Sequence, residues 1–164
     1  MKANTVHLLL NPTANRGRAT LRQTRIIKLL KNSGIEVILY VSESRGDLEE
    51  SVLRYIEHGA TKVIVAGGDG SIHEAVNGIM QSGGNVALGI IPIGTGNDFA
   101  KSADIPLDWE YATRQLASRI AGGKIQKTID IGRLNNRFFA NGAGIGFDAK
   151  TTYVAESILL PIGR

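Results

Sequence analysis

The chain predicts an α/β fold in three layers, a parallel sheet covered by helices on both faces. Three observations carry that prediction. Short apolar runs alternate with longer amphipathic stretches from residue 6 to about residue 120. Glycine-bearing turns separate them, and glycine is abundant at 20 of 164 residues, against an average near ~7%. A hydrophobic content of 43% and a charged content of 21% suit one domain with a real core, and the length is short for two. Strand–helix alternation of this kind implies parallel strands, whose connections must cross over the sheet.

In chain order, residues 6–10 form a strand that stops at Asn11-Pro12, because proline cannot donate to a ladder. Residues 19–32 set Leu21, Ile26, Ile27, Leu29 and Leu30 among basic residues, an amphipathic helix closed by Gly34. A strand over 35–41 and a helix over 47–58, ended by Gly59, come next. Residues 63–66 are a third strand, 71–81 a helix, 86–91 a fourth strand after the Gly83-Gly84 turn, and 108–120 a last helix. The pattern then changes. Residues 125–134 and 137–140 flank Asn135-Asn136, and asparagine accepts the positive φ of a tight hairpin turn. The chain therefore divides into an α/β domain, 1–123, and the incomplete hairpin start of a second, β-rich domain, 124–164.

Composition excludes several classes. Without cysteine there is neither disulfide nor zinc–thiolate chemistry. The first residues lack the shape of a signal peptide, and no apolar run approaches the ~18 residues of a membrane span, so a cytoplasmic protein is expected. Residues 1–34 hold seven basic side chains and no acid, which leaves the rest at −3 of the overall +4. Such a segment suits phosphates, nucleic acid, an anionic membrane or merely a solvated helix face. Nucleic acid ranks last, because residues 1–34 contain no aromatic ring to stack on bases.

The strongest local feature is Val63-Ile64-Val65-Ala66-Gly67-Gly68-Asp69-Gly70-Ser71-Ile72-His73-Glu74. A buried strand enters a glycine turn and then a helix, whose start Ser71 and Glu74 would mark as a capping box. Glycines before a helix N-terminus let backbone N–H groups approach an anion. A carboxylate inside that turn would repel phosphate unless a cation lay between them, which points to Mg²⁺ at Asp69. A second turn repeats the logic in Gly94-Thr95-Gly96-Asn97-Asp98-Phe99-Ala100. Both turns, and Asn11-Pro12 through Gly17, fall at the carboxyl ends of strands, where open α/β sheets bind ligands. No G-x-x-x-x-G-K-[ST] and no G-x-G-x-x-G after the first strand is present.

GGDG followed by GTGNDFA resembles the diacylglycerol kinase catalytic domain, the family of bacterial diacylglycerol and related lipid kinases and sphingosine kinases. Asn11-Pro12 with Gly17, the run from Thr128 to Gly132, and the run from Asn141 to Asp148 are similar to its other segments, in the family's order. GGDG alone is shared with NAD kinases and phosphofructokinases; GTGNDFA makes the likeness specific. The resemblance implies an ATP-dependent lipid kinase that uses Mg²⁺ and moves phosphate to a lipid hydroxyl such as that of diacylglycerol. It implies an ATP site lined by Asn11, Ser42, Gly67, Gly68, Asp69, Gly70, Ser71 and Ile72, with Thr95 in contact. Asp69, Asp98 and Asp130 would form a carboxylate network for metal and water, although capping or turn formation also accounts for Asp98 and Asp130. The implied partner is a lipid, and the basic helix near the N-terminus suits peripheral contact with an anionic membrane from the cytoplasmic side.

Two departures stand out. Ser71 and His73 replace the family's more usual threonine and asparagine, and both a general-base role and a plain surface role for His73 stay open. His7 and His58 read as structural. Family members are about twice this long, and their second domain supplies an acidic general base with no counterpart here. A truncated form, or a chain that self-associates to cover Phe138, Phe139, Phe147, Ile158 and Leu159, is the expectation. A nucleotide-binding module without turnover and an NAD kinase-like enzyme are the alternatives.

Overall fold

Strand β1 (Thr5–Leu10) shows how the layers arise. Its side chains alternate, so Val6, Leu8 and Leu10 enter one buried cluster and Leu9 another. The computed structural model describes residues 4–14, 19–123, 127–144 and 150. After β1 come α1 (Ala19–Asn32), β2 (Glu36–Val41), α2 (Asp47–Glu57), β3 (Lys62–Gly67), α3 (Asp69–Gln81), β4 (Ala87–Pro92), α4 (Asp98–Ser102) and α5 (Trp109–Ala121). The hairpin β5 (Gly132–Leu134) and β6 (Arg137–Phe139) follows.

The first four strands form one parallel sheet in the order β2-β1-β3-β4. Ile26 and Leu30 of α1 and Ala117 of α5 pack on one face. Leu48 and Val52 of α2, with Ala75 and Ile79 of α3, pack on the other. The three-layer α/β architecture expected from the sequence is the one observed. The faces follow from chirality: β1 to β2 steps one way along the sheet, while β2 to β3 and β3 to β4 step the other. Right-handed crossovers must then place α1 opposite α2 and α3. The direction reverses between β1 and β3, which opens a crevice beyond their carboxyl ends.

Three local expectations need correction. Helix α3 begins at Asp69, with Gly68 as N-cap and no side-chain cap. Ser71 is thus inside the first turn, and Glu74 instead accepts the Leu48 amide of α2 at 3.2 Å. Leu21 does not join the apolar face of α1 and is 83% exposed. It lies five residues before Ile26 and nine before Leu30, which at ~100° per residue puts it on the far side of the helix. In the segment before the hairpin, 127–131 form no strand. The Asn135-Asn136 turn is as expected, with Asn135 at φ 53°.

The hairpin packs on α3 through Phe138, which lies against the cluster of Ile72 and Val76, and through buried Asn77. Asn77 accepts the Phe138 amide at 3.0 Å and donates to the Phe138 carbonyl at 2.9 Å, so it pairs like a strand edge. Arg137 adds a two-pronged ion pair to Glu49 of α2 at 2.8 and 2.9 Å. Burial alone would raise the Glu49 pKa, but hydrogen bonds from Arg137 and Gln81 outweigh it and hold the carboxyl below its ordinary range.

The helical layers differ in charge. α1 and α5 carry Arg22, Arg25, Lys28, Lys31, Arg114 and Arg119 against the single acid Glu110. α2 and α3 carry Asp47, Glu49, Glu50, Glu57, Asp69 and Glu74 against Arg54. His7 and His58 are structural: His7 is buried and stacks on Tyr55 at 4.2 Å, and His58 Nδ1 meets the Arg54 carbonyl at 2.7 Å. Among the described residues no helix is long and apolar enough to cross a membrane.

Candidate functional site

The crevice between β1 and β3 is stitched by Asn11. Its amide donates to the Ala66 carbonyl at 3.1 Å, and its side chain donates to Ser71 Oγ at 3.0 Å. Asn11 Oδ1 meanwhile accepts the Thr13 amide and hydroxyl at 3.0 and 2.8 Å. The turn after β1 is thereby tied to the first turn of α3. Ser42 is buried at the end of β2, its amide bonded to the Leu10 carbonyl. Gly67 ends β3 so close to Ser71 that an added Cβ would meet its hydroxyl at 2.5 Å. Helix α3 then starts, and the amides of its first turn point without intrahelical acceptors toward the sheet edge.

The two glycine turns touch. A Cβ on Gly94 would come within 2.4 Å of Gly68 Cα, so that only glycine lets the backbones meet. Asn97 shapes the second turn from inside. It is buried, takes φ 54°, accepts the Gly94 amide at 3.0 Å and donates to the Gly94 carbonyl at 3.0 Å. Asp69 joins the turns: its Oδ1 accepts the Phe99 amide at 2.9 Å, which caps the first turn of α4. Its Oδ2 points at Gly96, 3.0 Å from where a Cβ would stand, and Asp98 Oδ2 lies 3.5 Å from the same point. Two carboxylates therefore flank one bare glycine. Asp98 also pairs with exposed Lys101 at 2.8 Å.

The fold thus brings Asn11, Gly67, Gly68, Asp69, Ser71, Gly96 and Asp98 together. Gly70 and Thr95 are exposed on the same turns. Ile72 is placed otherwise: its side chain is buried with Val76, Ile90 and Phe99, and its amide donates to the Gly68 carbonyl. Asp130 is exposed on the strand-free segment before β5, and no described contact links it to Asp69 or Asp98. Exposed His73 faces Arg137 at 3.4 Å, at the hairpin. Arg16, Gly17, Phe147, Asp148, Ile158 and Leu159 lie outside the described residues. Sequence reasoning missed Asn97 and Asn77. For Asn97 a signal existed, an asparagine after glycine where the chain must turn.

The donor set fits a hard divalent cation held jointly with phosphates. Among the described residues no three His, Cys, Asp or Glu side chains converge as a metal cage. Mg²⁺ needs none, since one or two carboxylates, waters and substrate phosphates suffice. Asp69 Oδ2 and Asp98 are the groups placed to supply those carboxylates.

Comparison with known proteins bears on the family and the fold. The family profile described as diacylglycerol kinase catalytic domain matches residues 5–134. A diacylglycerol kinase of Staphylococcus saprophyticus is 32% identical over 157 residues, covering 94% of this chain and 49% of that protein. A probable lipid kinase, YegS-like, of Citrobacter koseri is 40% identical over 141 residues, covering 84% of this chain and 46% of its own. The crystal structure of a diacylglycerol kinase from Bacillus anthracis superposes with a TM-score of 0.73 at 26% identity, over 83% of this chain and 45% of that one. The chain thus spans about half the length of the relatives it matches.

Proposed function

The chain belongs to the diacylglycerol kinase catalytic domain family, and on that premise we propose that it binds ATP in the β1–β3 crevice and serves phosphoryl transfer to a lipid hydroxyl. One observation carries the reading. Asp69 and Asp98 flank Gly96 where two glycine turns meet, beside the first turn of a helix. Glycines permit close approach of phosphates, and the α3 amides would hold their oxygens. Mg²⁺, when bound through Asp69 and Asp98, would neutralise charge on the transferring phosphoryl group. Asn11 and Asn97 fix the two turns before any ligand arrives, which lowers the reorganisation that binding requires. Residues 124–164 are proposed as the start of a second domain, with the acceptor held between it and residues 1–123.

Calorimetry with Mg²⁺ and ATP tests the reading. Asp69→Asn keeps an acceptor for the Phe99 amide while removing the charge. Wild type should bind ATP only with Mg²⁺ present, and the variant should bind at least tenfold more weakly with an unchanged melting temperature. Equal binding by both proteins would leave the site without its central group. Transfer of labelled γ-phosphate to diacylglycerol in mixed micelles then tests the acceptor.

A further inference from the structure

Helix α3 holds all three turns at the edge of the crevice, and we propose that Glu74, which stands outside the glycine turns, is a positioning residue for the nucleotide; this rests on the reading of the crevice as an ATP site. Glu74 touches no phosphate in that reading. It acts through the turn between β2 and α2.

Three side chains from the start of α3 reach three different turns. Asp69 accepts the Phe99 amide at 2.9 Å and holds the turn after β4. Ser71 Oγ accepts the Asn11 side chain at 3.0 Å and holds the turn after β1. Glu74 Oε2 accepts the Leu48 amide at 3.2 Å and holds the start of α2, where the turn after β2 ends. Phe99 and Leu48 both lie in the first turn of another helix, where an amide has no acceptor within its own helix. Leu48 is buried at 1% exposure, so loss of the carboxylate leaves its amide poorly placed to find water.

The turn held by Glu74 has a distinct character. It leaves β2 at buried Ser42, which is expected to line the ATP site, and reaches α2 through Gly46 at φ 88°. Asp47 closes it from inside: Oδ2 accepts the Glu43 amide at 2.7 Å and Oδ1 accepts the Tyr40 hydroxyl. Carboxylates thus already occupy the start of α2, whereas α3 begins at Gly68 with no side-chain cap. An anion is favoured at the free helix start and repelled at the one that carries negative charge. Phosphates placed at α3 therefore leave the uncharged nucleoside to face the turn after β2. Asp69 and Glu74 are five residues apart on one helix, about 7.5 Å along its axis. That rigid span sets the distance between the phosphate end of the site and the nucleoside end, and Glu74 is its far anchor.

Calorimetry with Mg²⁺ tests the assignment by comparing ATP with inorganic triphosphate, which has the phosphates without the nucleoside. Glu74→Ala should weaken ATP binding at least fivefold and triphosphate binding less than twofold. Glu74→Gln keeps an acceptor for the Leu48 amide and should bind ATP within twofold of wild type. Gln81→Ala removes another link between the same helices, the 2.6 Å bond to Glu49 from the last residue of α3, and should alter neither affinity. Amide exchange at residues 43–48 should accelerate in Glu74→Ala and not in Gln81→Ala. If melts show that Glu74→Ala fails to fold, Glu74→Asp, whose carboxylate falls one methylene short, should show the same ATP-selective loss. The proposal is overturned if ATP and triphosphate weaken together, if ATP binding is unchanged, or if Glu74→Gln behaves as Glu74→Ala does. Wild type that binds neither ligand would sink the ATP reading and this proposal with it. Normal binding by wild type with an indifferent Glu74→Ala would sink this proposal alone.

Discussion

The α2–α3 layer and the α1–α5 layer cover the same sheet but are built differently. α2 and α3 approach so closely that a Cβ on Gly78 would come within 2.6 Å of the Glu49 carbonyl oxygen and 3.1 Å of Val52. α1 and α5 share an apolar cluster through Ile26, Leu30 and Ala117, and near their N-terminal ends they meet through long side chains, an Arg25–Glu110 ion pair and Arg22 over Trp109. The tight layer contains the helix that carries Asp69 and holds the hairpin through Asn77. The looser layer carries a cationic outer face on which Leu21 and Tyr111 are also exposed. The difference teaches where a site can be held: the carboxylate of Asp69 stands on the helix whose packing leaves its neighbour no room to shift.

The largest break in that comparison is Gly78→Val. The added side chain meets backbone, so α2 and α3 must separate, at a cost of about 3 kcal/mol in urea unfolding. Gly94→Ala comes next. Its Cβ meets Gly68 Cα, so the two turns move apart; the expectation is about 2 kcal/mol and at least tenfold weaker ATP binding by calorimetry. Asn77→Ala leaves the backbone of Phe138 unpaired, at a cost of about 2 kcal/mol. Exchange of the Phe138 amide should accelerate while β1 and β3 amides keep their protection.

A smaller effect depends on pH. The folded Glu49 pKa is lowered from its ordinary 4.5. Its pairing with Arg137 therefore contributes above pH 4.5 and is lost as pH falls through the folded value. Arg137 is half exposed, which limits the contribution to less than ~1 kcal/mol. Wild type and Arg137→Met should differ in melting temperature at pH 7 and converge as pH drops below 4.5. The smallest effect belongs to the other layer. Lys28→Glu should shift stability by no more than ~0.5 kcal/mol.

Much of this was legible in the sequence because it is local. Alternating apolar runs gave the strands, and a glycine turn between strand and helix marked each loop of the site. A carboxylate inside a glycine turn marks Asp69 as a candidate metal and phosphate group. Its bond to the Phe99 amide joins residues thirty positions apart, and no periodicity reports such a contact. The same holds for Glu74, whose spacing from Ser71 suggested a cap on its own helix and whose carboxylate instead caps α2. Leu21 misleads for a simpler reason: an apolar residue close to an amphipathic stripe in sequence lies on it only if the helical angle allows, and here it does not. Asn77 gave no signal, since a polar residue on a helix usually faces water and this one is fully buried.

The central claim is that nucleotide lies where the two glycine turns meet. Amide hydrogen exchange across residues 67–71 and 94–99, with and without Mg²⁺ and ATP, tests it most directly. The account predicts protection concentrated in those two turns and absent in Asp69→Asn. Protection elsewhere on the sheet edge, or none in either turn while ATP is bound, would contradict it.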